Sequence, residues 1–179
     1  MKTSILRLTL TLFLICAVVA AALAGINAIT APRIAALKAQ KVADAIAAVL
    51  PGTAEETTDY VDATGLVQKV WKSDAGYAVQ VAPAGFGGTV TMMVGVDFEG
   101  KVLGIDIVSH GETAGLGDVA AADNAKGQAF REQFVGKTGE LSVNKDGGEI
   151  DAITSATITS RAVTAGVNAA IGIVVKEGA

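Results

Sequence analysis

The sequence predicts an α+β protein carried on one membrane-spanning helix. Three observations predict it. The chain opens on a long uncharged apolar run, a short helical segment follows, and β-type segments paired across tight turns then give way to helical patterns. Hydrophobic residues make up 51% of the 179 residues, and the mean hydropathy is +0.48. The opening run accounts for that excess. The length suits one ordinary domain plus an appendage.

No residue from Leu8 to Pro32 is charged. A bilayer core takes about 20 apolar residues as a helix, so the run is long enough to cross one. AVVAAALA holds a small-x-small pattern that a signal peptidase reads, but the run exceeds the roughly 7–15 apolar residues of a signal-peptide core. An uncleaved anchor over residues 1–30 is therefore expected. Cys16, the only cysteine, follows Ile15, where lipid attachment wants a small residue, and it has no partner for a disulfide or thiolate cluster. Lys2 and Arg7 precede the run; Arg33, Lys38 and Lys41 follow it. Positive charge therefore leaves the orientation open.

In residues 31–52, Ile34, Leu37, Ala45, Ile46, Val49 and Leu50 recur at roughly helical spacing, and Pro51-Gly52 stops the pattern. This predicts a stalk helix that either continues the membrane helix or packs on the domain. Residues 53–179 form that domain. LVQKVW (66–71) and GYAVQV (76–81) flank Ser73-Asp74-Ala75; TVTMMVGVDF (89–98) and KVLGIDIVS (101–109) flank Glu99-Gly100. Each pair reads as an antiparallel hairpin. Val102, Gly104 and Asp106 alternate with Leu103, Ile105 and Ile107, which implies one buried face. APAGFGG (82–88) is a glycine-rich connector and HGETAGLGD (110–118) a loop. Residues 119–136 read as a helix ending at Gly136, ELSV (140–143) as a short strand, and NKDGGE as a turn. A last helix is expected from about Ser160, with Thr159 or Ser160 as N-cap and Val163, Val167, Ile171 and Val174 on one stripe.

Most catalytic chemistries find no residues here. His110 is the only histidine; beside Gly111 in a loop it reads as a solvated residue rather than a base, and no second histidine or second cysteine exists for a zinc site. Neither GxGxxG nor a GK[ST] phosphate loop is present. All 18 acids and 12 of the 14 bases follow the apolar run, and no basic patch with interleaved aromatics points to nucleic acid.

Two loops carry sharper patterns. HGETAGLGD reads as a turn, or as a ligand-facing loop. In the second reading Gly115 and Gly117 let backbone N–H groups approach a flat or anionic group, and Thr113 offers a hydroxyl. DAITSATITSRAV (151–163) reads as the capped start of a helix, or as a phosphate site. A helix N-terminus presents unpaired N–H groups and partial positive charge. Ser155 and Ala156 are small, which leaves Thr157 accessible, and Arg161 one turn in would add a charge-assisted bond.

Thr154-Ser155-Ala156-Thr157 resembles the [S/T]GAT-type motif of a flavoprotein family, and Glu112-Thr113-Ala114-Gly115-Leu116-Gly117 resembles its ETPGLG loop. GINAITAPRI after the apolar run, VLPG at 49–52 and residues 76–105 read like the same family. The chain thus resembles the G subunit of the Rnf complex and, more broadly, the FMN-binding domain shared with the C subunit of the sodium-pumping NADH:quinone oxidoreductase. The resemblance implies an extracytoplasmic FMN-binding domain over 53–179, with Lys2 and Arg7 on the cytoplasmic side. It implies an electron-carrying subunit of a membrane translocase that passes electrons between reduced ferredoxin and NAD+ and pumps Na+ or H+. FMN would be joined through its phosphate to Thr157. Thr154, Ser155, Ala156, Glu112, Thr113, Gly115, Leu116 and Gly117 would surround it, with Asp151 and Arg161 as further contacts. Trp71, Tyr77 and Phe86 are the aromatics available to stack on a flavin.

The implied partners are the other members of the complex, membrane lipid, and a flavin transferase that makes the bond from FAD. The rival readings are the corresponding subunit of the quinone-linked pump, a free-standing extracytoplasmic flavoprotein and, from another class, a non-redox membrane-anchored binding or assembly module. Two residues depart from the family pattern. Ala114 replaces a proline and Ser155 replaces a glycine, and the serine Cβ matters if that backbone needs positive φ.

Overall fold

The computed structural model describes residues 2–58 and 60–177, with side chains described over 6–58 and 60–173. The side chains of Lys2 and of the predicted stripe residue Val174 lie outside that set. Contacts divide the chain into two units, Met1–Lys41 and Val42–Ala179.

The first unit lies within helix α1 (Lys2–Val49), which runs on through Pro32. Every described side chain from Leu6 to Lys41 is exposed. By length and composition this helix is able to cross a membrane. Its apolar residues point all round rather than along one stripe, the pattern of a helix solvated by lipid.

The second unit is a five-stranded antiparallel meander, β1 (Glu55–Thr57), β2 (Val67–Ser73), β3 (Gly76–Val81), β4 (Thr91–Val96) and β5 (Val102–Ser109), in sequence order. With α1 and the flanking helices, this is the α+β architecture expected. Both faces of the sheet are covered. Tyr77, Val79 and Val81 of β3 and Met92, Val94 and Val96 of β4 face the core beneath α3 (Thr157–Glu177), whose Val163, Val167 and Ile171 join it. On the other face Trp71, Ala78 and Met93 meet Ala45 and Val49 from the end of α1 and Leu50 just after it. Within the 31–52 segment, residues 42–50 therefore pack on the sheet. Gly95 makes this possible, because a Cβ there would lie 2.0 Å from the Val49 carbonyl oxygen.

Several elements differ from the sequence reading, each for a local reason. The alternation along β5 breaks at a bulge, where Gly95 pairs Gly104 but Val96 pairs Val102. The extra residue turns Val102 and Ile105 to the same core. Strand β1, short and polar, pairs antiparallel with β2 and gave no hydrophobic signal. The 119–136 helix is broken. A 3-10 turn covers Gly117–Ala121, and Asn124 then caps α2 (Ala125–Glu132), its Oδ1 accepting from the Lys126 and Gly127 N–H groups at 3.0 Å. ELSV forms no strand. The Asn168 amide substitutes for a neighbouring strand, accepting from the Leu141 N–H at 2.9 Å and donating to the Leu141 carbonyl at 2.8 Å.

Candidate functional site

Helix α3 starts at Thr157, one turn before the predicted start, because a tight turn completes first. The Ala156 N–H donates to the Ile153 carbonyl at 2.9 Å and the Ser160 N–H to the Ala156 carbonyl at 3.0 Å. Ser160 is therefore no N-cap. Its Oγ accepts from the Ile153 N–H at 2.9 Å and donates to the Ala156 carbonyl at 3.0 Å, tying the turn to the helix from within. Ser155 is the third residue of this turn, with φ +64°, the one non-glycine with positive φ among the described residues. Positive φ at that position alone is the type II pattern, which favours glycine.

This turn puts Thr157 at the first helical position, where the backbone N–H groups have no intrahelical partner. The neighbouring hydroxyls are engaged: Thr159 donates to Glu112 Oε2 at 2.5 Å and Thr164 to the Ser160 carbonyl at 2.9 Å. The Thr157 hydroxyl has no hydrogen-bond partner among the described residues, and the residue is half-buried in the wall of a cleft.

That cleft has a volume of about 320 Å3 and a mostly apolar lining. Ser155, Ala156, Thr157, Ile158 and Thr159 form one wall; Glu112, Thr113, Leu116, Gly117 and Phe86 form the rest. The two loops singled out in the sequence thus meet here. Glu112 fastens them. Its Oε1 accepts from the Gly87 N–H at 3.0 Å, and its Oε2 takes the Thr159 hydroxyl. A Cβ at Gly85 would sit 2.2 Å from Oε1, and one at Gly117 2.4 Å from Oε2. Both positions stay glycine-sized because the carboxylate fills the space.

Across the partition made by Leu116 and Ser155 lies a larger groove of about 730 Å3, floored by α2 and edged by Gly115, Asp151 and Thr154. Asp151 is held there by its N–H to Gln133 Oε1 at 2.7 Å and by the Asn144 amide on its carboxylate at 2.8 Å. Arg161 lines neither space. Its Nε and Nη2 clamp Asp146 at 2.7 and 2.6 Å. That pairing holds the Asp146 carboxyl below its ordinary value and raises the guanidinium. Of the three candidate aromatics, Trp71 and Tyr77 are buried in the two cores, while Phe86 is 70% exposed and lines the cleft.

Residues 85–172 match the FMN-binding domain family, and residues 1–49 match the RnfG N-terminal region. The chain is 34% identical to the G subunit of an ion-translocating oxidoreductase complex of Stutzerimonas stutzeri, over 88% of this chain and 75% of that one. It is 34% identical to the G subunit of a Na+-translocating ferredoxin:NAD+ oxidoreductase complex of Acetobacterium woodii, over 94% of this chain and 91% of that one. The chain belongs to the Rnf G-subunit family. A crystal structure of the C subunit of the Na+-translocating NADH-quinone reductase from Parabacteroides distasonis is also similar, with 27% identity, 59% coverage of either chain and a TM-score of 0.46.

Within this member of the RnfG family, sequence reasoning missed the part played by the 85–88 connector. It also missed Ile158 and the tie from Thr159 to Glu112. The signal was available in the spacing of Gly85, Gly87 and Gly88 around Phe86, which is more glycine than a simple connector requires.

Proposed function

We propose that Thr157 carries FMN, joined through the flavin phosphate, in a chain whose family makes it an electron-carrying flavoprotein subunit of an ion-translocating oxidoreductase. One observation carries this reading. A threonine hydroxyl without an internal partner stands at the first residue of a 21-residue helix, inside a mostly apolar cleft. Helix N-termini favour phosphate through their unpaired N–H groups and dipole. The small Ser155 and Ala156 leave the approach open.

The residues fit the group. The first N–H groups of α3 would hold the phosphate, the Thr157 oxygen would bear it, and Phe86, Leu116 and Ile158 would offer apolar surface to the ring. Gly115 and Thr154, on the far side of the partition, fit contact with the edge of the ligand rather than the attachment point. When bound, FMN supplies reversible transfer of one or two electrons. The protein's own part is to position the ring, exclude water from one side of it and prevent its loss. A covalent tether suits a carrier that faces outside the cytoplasm, where a dissociated cofactor would be diluted away.

The remaining assignments follow from this one. Residues 1–30 act as the anchor, 31–52 as the stalk and 53–179 as the flavin domain, with the N-terminus in the cytoplasm and the domain outside. Its partners are the other subunits of a Rnf-type complex, membrane lipid, and a transferase that delivers the flavin from FAD. Expression with such a transferase, followed by denaturing gel electrophoresis under ultraviolet light, tests the attachment. A fluorescent band should appear for the wild type and vanish in Thr157→Val. A dark wild-type band rejects the covalent flavin.

A further inference from the structure

We propose that the exposed Phe86 ring is the surface on which the flavin of this protein stacks, and that Glu112 is a positioning residue that holds it beside Thr157. This rests on the reading that Thr157 bears FMN. Phe86 has an unusual setting. It is a large apolar ring, 70% exposed, with Gly85 on one side and Gly87 and Gly88 on the other. A ring in so glycine-rich a segment would be expected to wander. The backbone that bears it is fixed instead at three points. Gly85 and Gly88 join through a backbone bond of 2.8 Å, which closes a small loop with Phe86 at its tip. The Gly87 N–H donates to Glu112 Oε1 at 3.0 Å. Gly87 also lies so close to Gly111 that a Cβ on it would come within 2.0 Å of the Gly111 carbonyl oxygen.

The second Glu112 oxygen reaches the other wall of the cleft. It accepts the Thr159 hydroxyl, two residues beyond Thr157 on the first turn of α3. One carboxylate therefore binds the loop that bears Phe86 to the helix end that bears Thr157. Its two oxygens are spent on these donors. The group acts as a brace between the walls and is not turned as a bare charge toward an electron-rich ring. Aromatic faces pair with a flat conjugated ring by offset stacking, and Phe86 is the one aromatic side chain lining the cleft.

The test uses the full-length, flavin-loaded chain. Excited flavin is quenched by electron transfer from a tryptophan in ring contact, whereas phenylalanine is too hard to oxidise to act this way. Phe86→Trp should therefore dim flavin emission and shorten its lifetime several-fold at unchanged flavin content by intact mass. Phe98→Trp, at an exposed position in the β4–β5 turn that does not line the cleft, should leave both unchanged. Phe86→Leu and Glu112→Gln should both lower the flavin fluorescence anisotropy, the second by freeing the loop while its phenyl ring is still present. Equal brightness in Phe86→Trp and wild type, with flavin mass in both, overturns the stacking assignment and leaves the attachment standing. Unchanged anisotropy in Glu112→Gln overturns the brace. A wild-type chain without flavin mass overturns the attachment itself.

Discussion

Replacing Ser155 with glycine should stabilise the sheet domain. Ser155 holds φ +64° in the turn that precedes α3. A left-handed backbone costs an L-residue about 1–2 kcal/mol. Glycine escapes that cost but loses about 0.4–1 kcal/mol through its freer unfolded chain. Ser155 is exposed, so little packing is surrendered. The net gain is about 0.5–1 kcal/mol, or a rise in Tm of about 2–4 °C for a unit of this size. Ser155→Val should move the other way by about 1 kcal/mol or more, since a β-branched residue at positive φ is a genuine outlier. The assay is thermal unfolding in detergent, followed by the emission of Trp71, the only tryptophan and one buried against the end of α1. It reports the sheet rather than the apolar helix. If φ at 155 were negative, glycine would bring only its entropic cost. A lower Tm for Ser155→Gly, or an unchanged one for Ser155→Val, refutes the reasoning.

Other substitutions probe separate parts of the frame. Gly117→Ala would put a Cβ 2.4 Å from Glu112 Oε2 and 2.6 Å from the Thr159 hydroxyl. It should displace that bond and cost about 1–3 kcal/mol by denaturant titration. Gly95→Val should wedge the last turn of α1 away from β4, with a similar loss of about 1–3 kcal/mol and greater proteolysis of the 42–52 segment. Asp146→Asn concerns pH. The Asp146 pKa is lowered in the folded state by its hydrogen bond from Arg161, so its contribution is present above the ordinary carboxyl value of 3.8 and fades as pH falls through the lower folded value. The wild-type and variant Tm curves should differ slightly at neutral pH and converge in acid. Asp62 behaves alike: desolvation raises its pKa, but hydrogen bonds from Thr64 and Val67 outweigh that and leave it lowered. Asp62→Asn should therefore also weaken the protein at neutral pH and not in strong acid.

The parts of the fold that were legible in the sequence are those set by local pattern. The apolar run needed only its length, and both hairpins announced themselves by β-branched residues on either side of short turns. The elements that were misread depend on distant partners. ELSV has strand composition, yet the Leu141 main-chain groups are satisfied by the Asn168 amide, twenty-seven residues away, and Val143 makes only an isolated bridge to Ile150. The alternation in β5 looked regular because the bulge is a property of its pairing with β4, not of either strand alone. The break at 122–124 was visible in principle: Asn124 is a strong helix starter, and its position inside an apparent helix favoured two segments over one.

The site divides along the same line. A family motif marked Thr154–Thr157 and the ETAGLG loop, and both line the spaces around the turn. What holds them together was not legible, because Glu112 reaches Gly87 twenty-five residues back and Thr159 forty-seven residues ahead. The start of α3 shows why motif and geometry must be read together. A helix that began at Ser160 would have left Thr157 in a loop, with no dipole behind it. The 153–156 turn instead closes through the Ala156 N–H on the Ile153 carbonyl, and Ser160 turns its hydroxyl inward to fasten that closure to a helix that starts at Thr157. Ser160→Ala should unfasten the Ile153 N–H, fray the first turn and reduce flavin content while Thr157 remains in place. Ser160→Thr, which keeps the hydroxyl, should restore it. Full flavin content in Ser160→Ala would show that the helix end needs no such closure to present its first residue.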